Sequence, residues 1–266
     1  MWRCCPSKLF SQFSTQETDL RCRQRWSQSR ALIALADVPV AAPSANRSGR
    51  PSPTTAQHVV ADYQRQTLSR PVTVIDGGAC DVGVESTVVD AITESGVVRV
   101  LRPGGIGPDQ LKAALERAGH FDWTVRVFGQ DWSDDSLKAQ PPTPGMKYRH
   151  YAPDATVVLL EIVDDAGAPS LLELNAGRKA ALLAPEPSSL SGARIGTRHS
   201  LGSTPAEHAQ RLFAGLRELD SADVEVIFIE RPSGSEWNEG IGLAVGERAG
   251  KAGSGAALVR VRAERS

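Results

Sequence analysis

The sequence predicts an α/β protein made of two successive modules. From Ser29 onward, short apolar runs typical of strands alternate with segments whose apolar residues recur every three or four positions, as in amphipathic helices. A Pro-rich stretch at 139–145 interrupts this alternation and predicts a semi-rigid linker. Beyond it, residues 156–230 follow a β-α-β-α-β order, which is typical of a parallel sheet with helices on its faces.

In the first module, the local pattern predicts a helix, several short strands and a second amphipathic helix. The Glu-Ser-Gly sequence at 94–96 predicts a turn that joins two strands in a hairpin. Thr54 and Gln57 have the spacing of a capping box at the start of a helix that runs to about Tyr63. The predicted strands are 38–42, 72–76, 84–91 and 97–102, and the flanking helices are 29–36 and 107–119.

The second module has the clearest helix in the chain. Thr204 is the predicted N-cap, Pro205 takes the first helical position, and Glu207 completes a capping box. No G-x-G-x-x-G sequence follows the first strand of this module, so a dinucleotide site is not predicted. The predicted elements are strands 156–162, 179–184 and 224–230, with helices near 168–175 and at 204–219.

Composition indicates a soluble globular protein. The 266 residues include 30 basic and 31 acidic side chains, and 41% of the residues are hydrophobic. The net charge of −1 implies no bulk attraction to nucleic acid or to a membrane surface. No apolar run is long enough to span a bilayer, and a cytoplasmic location is expected.

Residues 1–28 differ from the rest of the chain. Residues 1–30 carry six basic and two acidic side chains and three of the four cysteines, without helical or strand periodicity. We expect residues 1–28 to be a disordered leader. A mitochondrial transit peptide and a foreign leader from a wrong reading frame remain alternatives. A metal site is the least favoured interpretation because the cysteines lack paired C-x-x-C and His spacing.

Four polar clusters could carry chemistry. The run 43–49 leaves an apolar strand and leads to the start of a helix, where hydroxyls, an amide and free N–H groups favour an anion or phosphate. Arg102 ends a strand, which suits a bidentate hold on phosphate or carboxylate. The other two clusters are the polar residues 85–87 within a predicted strand, and the segment 147–151, which is rich in tyrosine and basic residues and could dock on the surface or contact a ligand.

Taken together and in order, these clusters closely resemble the threonylcarbamoyl-adenylate synthases, which are two-domain members of the YrdC-like superfamily. The resemblance covers roughly residues 29–260. It implies an incomplete YrdC-like twisted open sheet at 29–120, a linker at 121–154 with the KYRHYAP strap, and a Rossmann-like C-terminal domain at 155–266. The matching runs are Ala42–Thr54, Asp76–Gly78, Gly83–Asp90, Leu101–Gly104 and Pro144–Pro153.

The resemblance implies an enzyme that condenses L-threonine, bicarbonate and ATP, with Mg²⁺, to threonylcarbamoyl-AMP and pyrophosphate. A downstream complex would transfer the threonylcarbamoyl group to a tRNA adenosine, and double-stranded RNA or tRNA is a further expected partner. By the family pattern Ser44 and Ser86 contact threonine. The implied ATP contacts are Asn46, Thr54, Arg102, Tyr148 and His150. No metal-binding side chain and no catalytic residue are predicted.

Two departures from the family pattern accompany this resemblance. Residues 1–28 do not match the half-domain that precedes the Ser-Ala-Asn segment in the family, including its Lys-x-Arg motif, so we expect this chain to have weak activity and poor solubility. A non-catalytic nucleotide-binding, RNA-binding or regulatory module is therefore the alternative function. The sequence Gly246-Glu247-Arg248 replaces the family's more common Met-Asn-Arg, and we expect no consequence for the site.

Overall fold

The computed structural model describes residues 27–38, 44–64, 72–139, 151–253 and 258–264. The chain divides into two compact units. The first comprises Met1–Ala45 and Thr55–Ala79, and the second comprises Asn46–Thr54 and Cys80–Ser266. The described part of the chain contains no helix with the length and apolar character needed to cross a membrane.

The described part of the first unit contains two helices, α1 (Ser27–Ala36) and α2 (Ala56–Gln64). Helix α1 confirms the helix predicted at 29–36. Helix α2 begins one residue later than the predicted cap implies, because the Oγ1 atom of Thr55 accepts the hydrogen bond from the His58 amide at 3.3 Å. The strand predicted at 38–42 falls largely outside the described residues.

The prediction of a strand at 72–76 is wrong. These residues have no regular secondary structure, and no described strand pairs with them. A β-strand needs a hydrogen-bonded neighbour, which the local apolar pattern cannot supply. Ile75 is 71% exposed, so the apolar pattern of this segment does not correspond to burial within the described structure.

The second unit begins with a three-stranded sheet in the order β1-β2-β3. Its strands are β1 (Val88–Asp90), β2 (Val97–Arg102) and β3 (Thr124–Val127). Antiparallel pairing of β1 with β2 confirms the predicted hairpin, although residues 84–87 are not in a strand. Helix α3 (Pro108–Arg117) begins after Gly107 as predicted and is followed by Gly119 in the left-handed region, with φ of 86°.

Strand β3 is an element that the sequence analysis did not predict. It lies within 121–154, which the sequence assigned to a linker, and pairs in parallel with β2 from Val97 to Val100. Its partner strand β2 ends more than twenty residues earlier in the sequence, and polar residues surround β3, so no local apolar pattern marks it as a strand. A short helix, α4 (Asp135–Ala139), follows before the described structure breaks at residue 140.

The C-terminal module is built around a five-stranded sheet in which every strand pair is parallel. The strand order is β6-β5-β7-β4-β8. This architecture confirms the predicted Rossmann-like α/β module. The strands are β4 (Thr156–Val163), β5 (Ala180–Pro185), β6 (Thr197–Gly202), β7 (Val226–Glu230) and β8 (Val259–Arg262), and the helices are α5 (Leu171–Asn175), α6 (Pro205–Ser221) and α7 (Gly242–Ala252).

Each face of this sheet covers its own apolar core. Adjacent residues on a strand point to opposite faces, so Leu183 packs with α6 and α7 while Leu182 packs on the other side. Helix α6 has the predicted Thr204 cap, with the Glu207 amide bonded to the Thr204 hydroxyl. Strands β6 and β8 and helix α7 are additional elements that the predicted β-α-β-α-β order does not include.

Candidate functional site

The polar clusters of the second unit meet in three loops. These are residues 46–54, residues 83–87 before β1, and residues 102–107 after β2. The antiparallel β1-β2 pairing places the first residue of β1 opposite the last residue of β2, since Val88 is registered with Arg102. The loop that carries Ser86 therefore lies beside the strand end that carries Arg102.

Arg102 directly contacts the Ser86 segment. One guanidinium nitrogen, Nη2, donates to the Ser86 carbonyl oxygen at 2.8 Å. Arg102 is 7% exposed, whereas Ser86 is exposed. The structure thus brings together Arg102, which the resemblance implies for ATP, and Ser86, which it implies for threonine. The guanidinium is buried, and the serine beside it is exposed.

Gly104 allows these two loops to approach closely. A Cβ atom at this position would lie 2.2 Å from the Thr87 amide nitrogen and 2.3 Å from the Ser86 carbonyl carbon. The Gly105 amide donates to the Glu85 carbonyl at 3.1 Å, and the Thr87 hydroxyl donates to the Ile106 carbonyl at 2.6 Å. Only glycine fits here, because any side chain would collide with backbone atoms.

Glu85 connects the loops to the C-terminal module. Its Oε1 accepts from the Ser52 hydroxyl at 2.5 Å, and its Oε2 accepts from Arg248 Nε at 3.0 Å. Arg248 Nη1 also donates to the Pro103 carbonyl at 2.6 Å. Helix α7 therefore contacts two of the three loops through Arg248, the position at which Gly246-Glu247-Arg248 and the family's Met-Asn-Arg are alike.

Two carboxylates, Glu85 and Glu247, pair with the buried guanidinium of Arg248. Its side chain is fully buried; burial alone would lower its pKa, but Glu247 and Glu85 outweigh that effect and raise the pKa. The guanidinium also lies 5.7 Å from the centre of the Tyr151 ring. Burial, followed by the charge of Glu85, raises the pKa of the Tyr151 hydroxyl to about 12, so this tyrosine stays neutral at physiological pH.

The loop 46–54 is held by helix α6. Arg217 Nε donates to the Ser52 carbonyl at 3.3 Å, and Arg50 pairs with Asp220 at 2.6 Å. Asn46 shapes the same loop, because its Nδ2 donates to the carbonyls of Arg47 at 2.8 Å and Arg50 at 3.2 Å. Its Oδ1 is buried and accepts no hydrogen bond from any described residue.

The remaining predicted site residues are not all placed in this group of loops. Thr54 is 5% exposed and its carbonyl accepts from the Cys80 amide at 2.8 Å. Ser44 is exposed and belongs to the first unit. Tyr148 and His150, with the rest of the strap before Tyr151, lie outside the described residues.

An open cleft of about 420 Å³ lies at the amino ends of the parallel strands in the C-terminal module. Its lining includes Arg178, Lys179 and Arg194. Arg178 donates to the carbonyls of Asn175 and Leu174, both at 3.0 Å. Lys179 pairs with Asp223 at 3.2 Å. Because ligands of open α/β sheets bind at the carboxyl ends of strands, this basic cleft does not support a nucleotide site in the module.

Among the residues that the structure describes, no group of three or more His, Cys, Asp or Glu side chains could hold a metal ion. A magnesium ion that accompanies a nucleotide is commonly held by phosphate oxygens and water with one or two carboxylates. The loops described above supply the hydroxyl, amide and guanidinium groups that suit a small amino acid and an anion.

Family models match nearly the whole described chain. The model described as threonylcarbamoyl-AMP synthase, C-terminal domain, matches residues 106–254, and a model described as telomere recombination matches residues 25–104. The chain belongs to the threonylcarbamoyl-AMP synthase family. This confirms the resemblance that the five sequence runs indicated.

Curated relatives of the threonylcarbamoyl-AMP synthase family extend beyond the length of this chain. The chain is 38% identical over 235 residues to the threonylcarbamoyl-AMP synthase of Schizosaccharomyces pombe, with 84% of this chain and 54% of the relative covered. It is 40% identical over 240 residues to that of Pyrococcus abyssi, with 86% and 62% covered. The chain thus spans between about half and two thirds of the length of these family members.

A solved member of the threonylcarbamoyl-AMP synthase family has the same fold over the shared region. The crystal structure of P. abyssi Sua5 complexed with L-threonine matches with a TM-score of 0.63 at 33% identity, covering 87% of this chain and 62% of that chain. This likeness confirms the predicted combination of a YrdC-like sheet and a Rossmann-like module.

Three residues that hold the loops of the candidate site, Glu85, Arg217 and Arg248, were not predicted as site residues. Glu85 carried a signal, since a carboxylate interrupts an apolar strand pattern there, but its partner Arg248 lies 163 positions away. Arg217 carried none, because an arginine on an amphipathic helix is usually a solvated surface residue. Long-range pairing of this kind has no signature in a single sequence.

Proposed function

We propose that this chain binds L-threonine and ATP in the loops 46–54, 83–87 and 102–107, and acts in the synthesis of threonylcarbamoyl-AMP from L-threonine, bicarbonate and ATP. The observation that carries the proposal is the contact between Arg102 and the Ser86 carbonyl, which sets a buried guanidinium beside an exposed serine. The family membership supports the reaction class. The name of the solved relative supports threonine as a substrate.

Each proposed contact has a chemical reason. Ser44 and Ser86 offer hydroxyls to the polar groups of L-threonine. Arg102 offers a planar, permanently charged donor to the ATP phosphates, and this charge would stabilise the negative charge that develops as pyrophosphate leaves. Asn46 and Thr54, the first and last residues of the loop 46–54, are proposed to contact ATP. Mg²⁺ would enter with the nucleotide phosphates. Tyr148 and His150 are retained in the proposal on sequence grounds alone.

The proposed product is a mixed anhydride that another enzyme must consume, so we propose a downstream threonylcarbamoyl transferase acting on a tRNA adenosine as the functional partner. Direct binding of tRNA or double-stranded RNA is a weaker part of the proposal, because the net charge of −1 supplies no general attraction to phosphate backbones. The proposed location is the cytoplasm, with the mitochondrion as the alternative if residues 1–28 act as a transit peptide.

The test is pyrophosphate release from ATP by the full chain, measured with and without L-threonine and bicarbonate. Release that requires both co-substrates, and that falls at least about tenfold in Arg102→Ala, supports the proposal, since a lost charge-assisted contact has this magnitude. Arg117→Ala, an exposed arginine at the end of α3, is the matched control and should keep the parent rate.

Binding must be measured in parallel with turnover. ATP affinity without threonine-dependent pyrophosphate release would instead support the alternative of a non-catalytic nucleotide-binding or regulatory module. Absence of both ATP and L-threonine binding would refute the proposed site.

A further inference from the structure

Arg248 on helix α7 is a fully buried cation whose donors are directed at the loops of the proposed site. Its side chain is 0% exposed; it donates to Glu85 at 3.0 Å and to the Pro103 carbonyl at 2.6 Å, and it also pairs with Glu247 on its own helix at 2.5 Å. A buried guanidinium is costly unless it is paired, and apolar residues of similar size often stabilise a core better. Its contacts with two separate loops therefore suggest a role beyond packing.

Glu85 is held on both of its carboxylate oxygens. One accepts from the Ser52 hydroxyl at 2.5 Å and the other from Arg248. Its own carbonyl accepts from the Gly105 amide at 3.1 Å. Ser86 follows in the chain, so a shift of Glu85 would displace the Ser86 backbone, whose carbonyl accepts from Arg102.

The position of Pro103 completes the link. Pro103 follows Arg102 directly, and its carbonyl is fixed by Arg248. Arg248 thus bonds to the two residues beside the contact between Arg102 and Ser86, through the side-chain carboxylate of Glu85 and the backbone carbonyl of Pro103. Close packing of Gly104 against Ser86 and Thr87 leaves little space for either loop to shift independently.

We propose that Arg248 and Glu85 are positioning residues, which act through Ser86 and Arg102 to orient the site for L-threonine. This inference rests on the proposed function. The C-terminal module then contributes to substrate affinity without itself contacting the substrate, because Arg248 on helix α7 bonds to the loops 83–87 and 102–107.

The test measures L-threonine binding to the full chain by calorimetry. Arg248→Met should weaken L-threonine binding by about tenfold or more, because the charge-assisted bond to Glu85 is lost. Glu85→Gln should cause a similar loss, and the double variant should be less than about twofold weaker than the poorer single variant, as expected for residues acting as a unit. Arg248→Lys, which keeps the charge, should recover part of the affinity.

The control variant for lost stability is His208→Gln. His208 is fully buried in the same module, and its ring bonds to Trp237 and to the Gly202 carbonyl rather than to the three loops. It should lower the melting temperature while leaving L-threonine affinity within about twofold of the parent. Additive losses in the double variant, or an affinity loss in His208→Gln equal to that in Arg248→Met, would overturn the proposal.

Hydrogen exchange separates this inference from the proposed function, because it requires no ligand. The Gly105 and Ile106 amides, bonded to Glu85 and Thr87, should lose protection in Arg248→Met and keep it in His208→Gln. If the parent binds no L-threonine, the proposed function fails while this measurement still decides whether Arg248 fixes the loops. Unchanged protection in Arg248→Met overturns the inference.

Discussion

Arg50 and Asp220 form an ion pair at 2.6 Å although they are 170 positions apart. The second oxygen of Asp220 accepts from the amides of Asp154 at 2.8 Å and Ala155 at 2.9 Å. One carboxylate on α6 therefore fixes both the loop 46–54 and the entry to strand β4. Both partners are largely buried, with side-chain exposures of 15% and 9%.

Asp220→Asn should lower the free energy of unfolding by about 1 kcal/mol or more, because it removes the largely buried partner of Arg50 and leaves the pair with Asp154, whose side chain is 79% exposed. Urea unfolding measures this change. Asp223→Asn is the control, since Asp223 also pairs with a cation, Lys179, but its side chain is 94% exposed. The control should change stability by no more than about 0.5 kcal/mol; equal effects would contradict the assigned importance of burial.

Gly104→Ala should destabilise the second unit and weaken L-threonine binding, because the added Cβ would collide with the backbone of residues 86 and 87. The measurements are thermal unfolding and calorimetry. Gly250→Ala is the matched control: nothing lies within 4 Å of its Cβ position in helix α7, so it should raise stability by about 0.5 to 1 kcal/mol. A tolerated Gly104→Ala would show that the loops can separate.

His208 should make stability fall in mildly acidic solution. Burial lowers its pKa below the ordinary value of 6.5, and the neutral ring accepts from Trp237 at Nδ1 while Nε2 faces the Gly202 carbonyl. The unfolded chain takes up a proton first, so the stability present above pH 6.5 is lost as the pH falls toward the lowered native pKa.

Urea unfolding at several pH values between about 7.5 and 5 checks this dependence. His208→Gln should have a lower stability at pH 7.5 but a smaller loss across this window. An identical slope in His208→Gln and the parent would rule out His208 as the titrating group.

Exposed apolar side chains of the first sheet and its connections should promote self-association. Ile92 is 95% exposed and Phe121 is 73% exposed. When the protein is concentrated, the variant with serine at both positions should scatter less light than the parent. Its free energy of unfolding should change by less than about 0.5 kcal/mol. Val100→Ser, at a fully buried position of β2, should lose several times more stability.

The sequence predicted correctly those elements that are marked by residues close together in the chain. The Thr204 cap and the apolar stripe of α6 are examples, as is the β1-β2 hairpin, whose turn residues are adjacent in sequence. Strand β3 was missed, and the segment 72–76 was wrongly assigned to a strand, because strand formation depends on a neighbour that local sequence does not identify.

The candidate site, like the fold, was predicted in part from the sequence. Arg102 and Ser86 were identified from residue chemistry and from the family resemblance, and the structure brings them into contact. Glu85 and Arg248 were not assigned to the site, because the ion pair that makes them important joins two modules of the sequence. The roles of Ser44, Tyr148 and His150 remain predictions from the sequence.

The hydrogen bond from the Cys80 amide to the Thr54 carbonyl joins the two points where residues 55–79 leave and re-enter the second unit. Because the ends of this excursion are tied at 2.8 Å, its length can change without stretching the flanking loops. The entropic cost of a longer loop also grows slowly. An insertion between Gln64 and Val72 should therefore leave the loop 46–54 in place, whereas removal of residues 55–79 would also remove α2 and the run Asp76–Gly78.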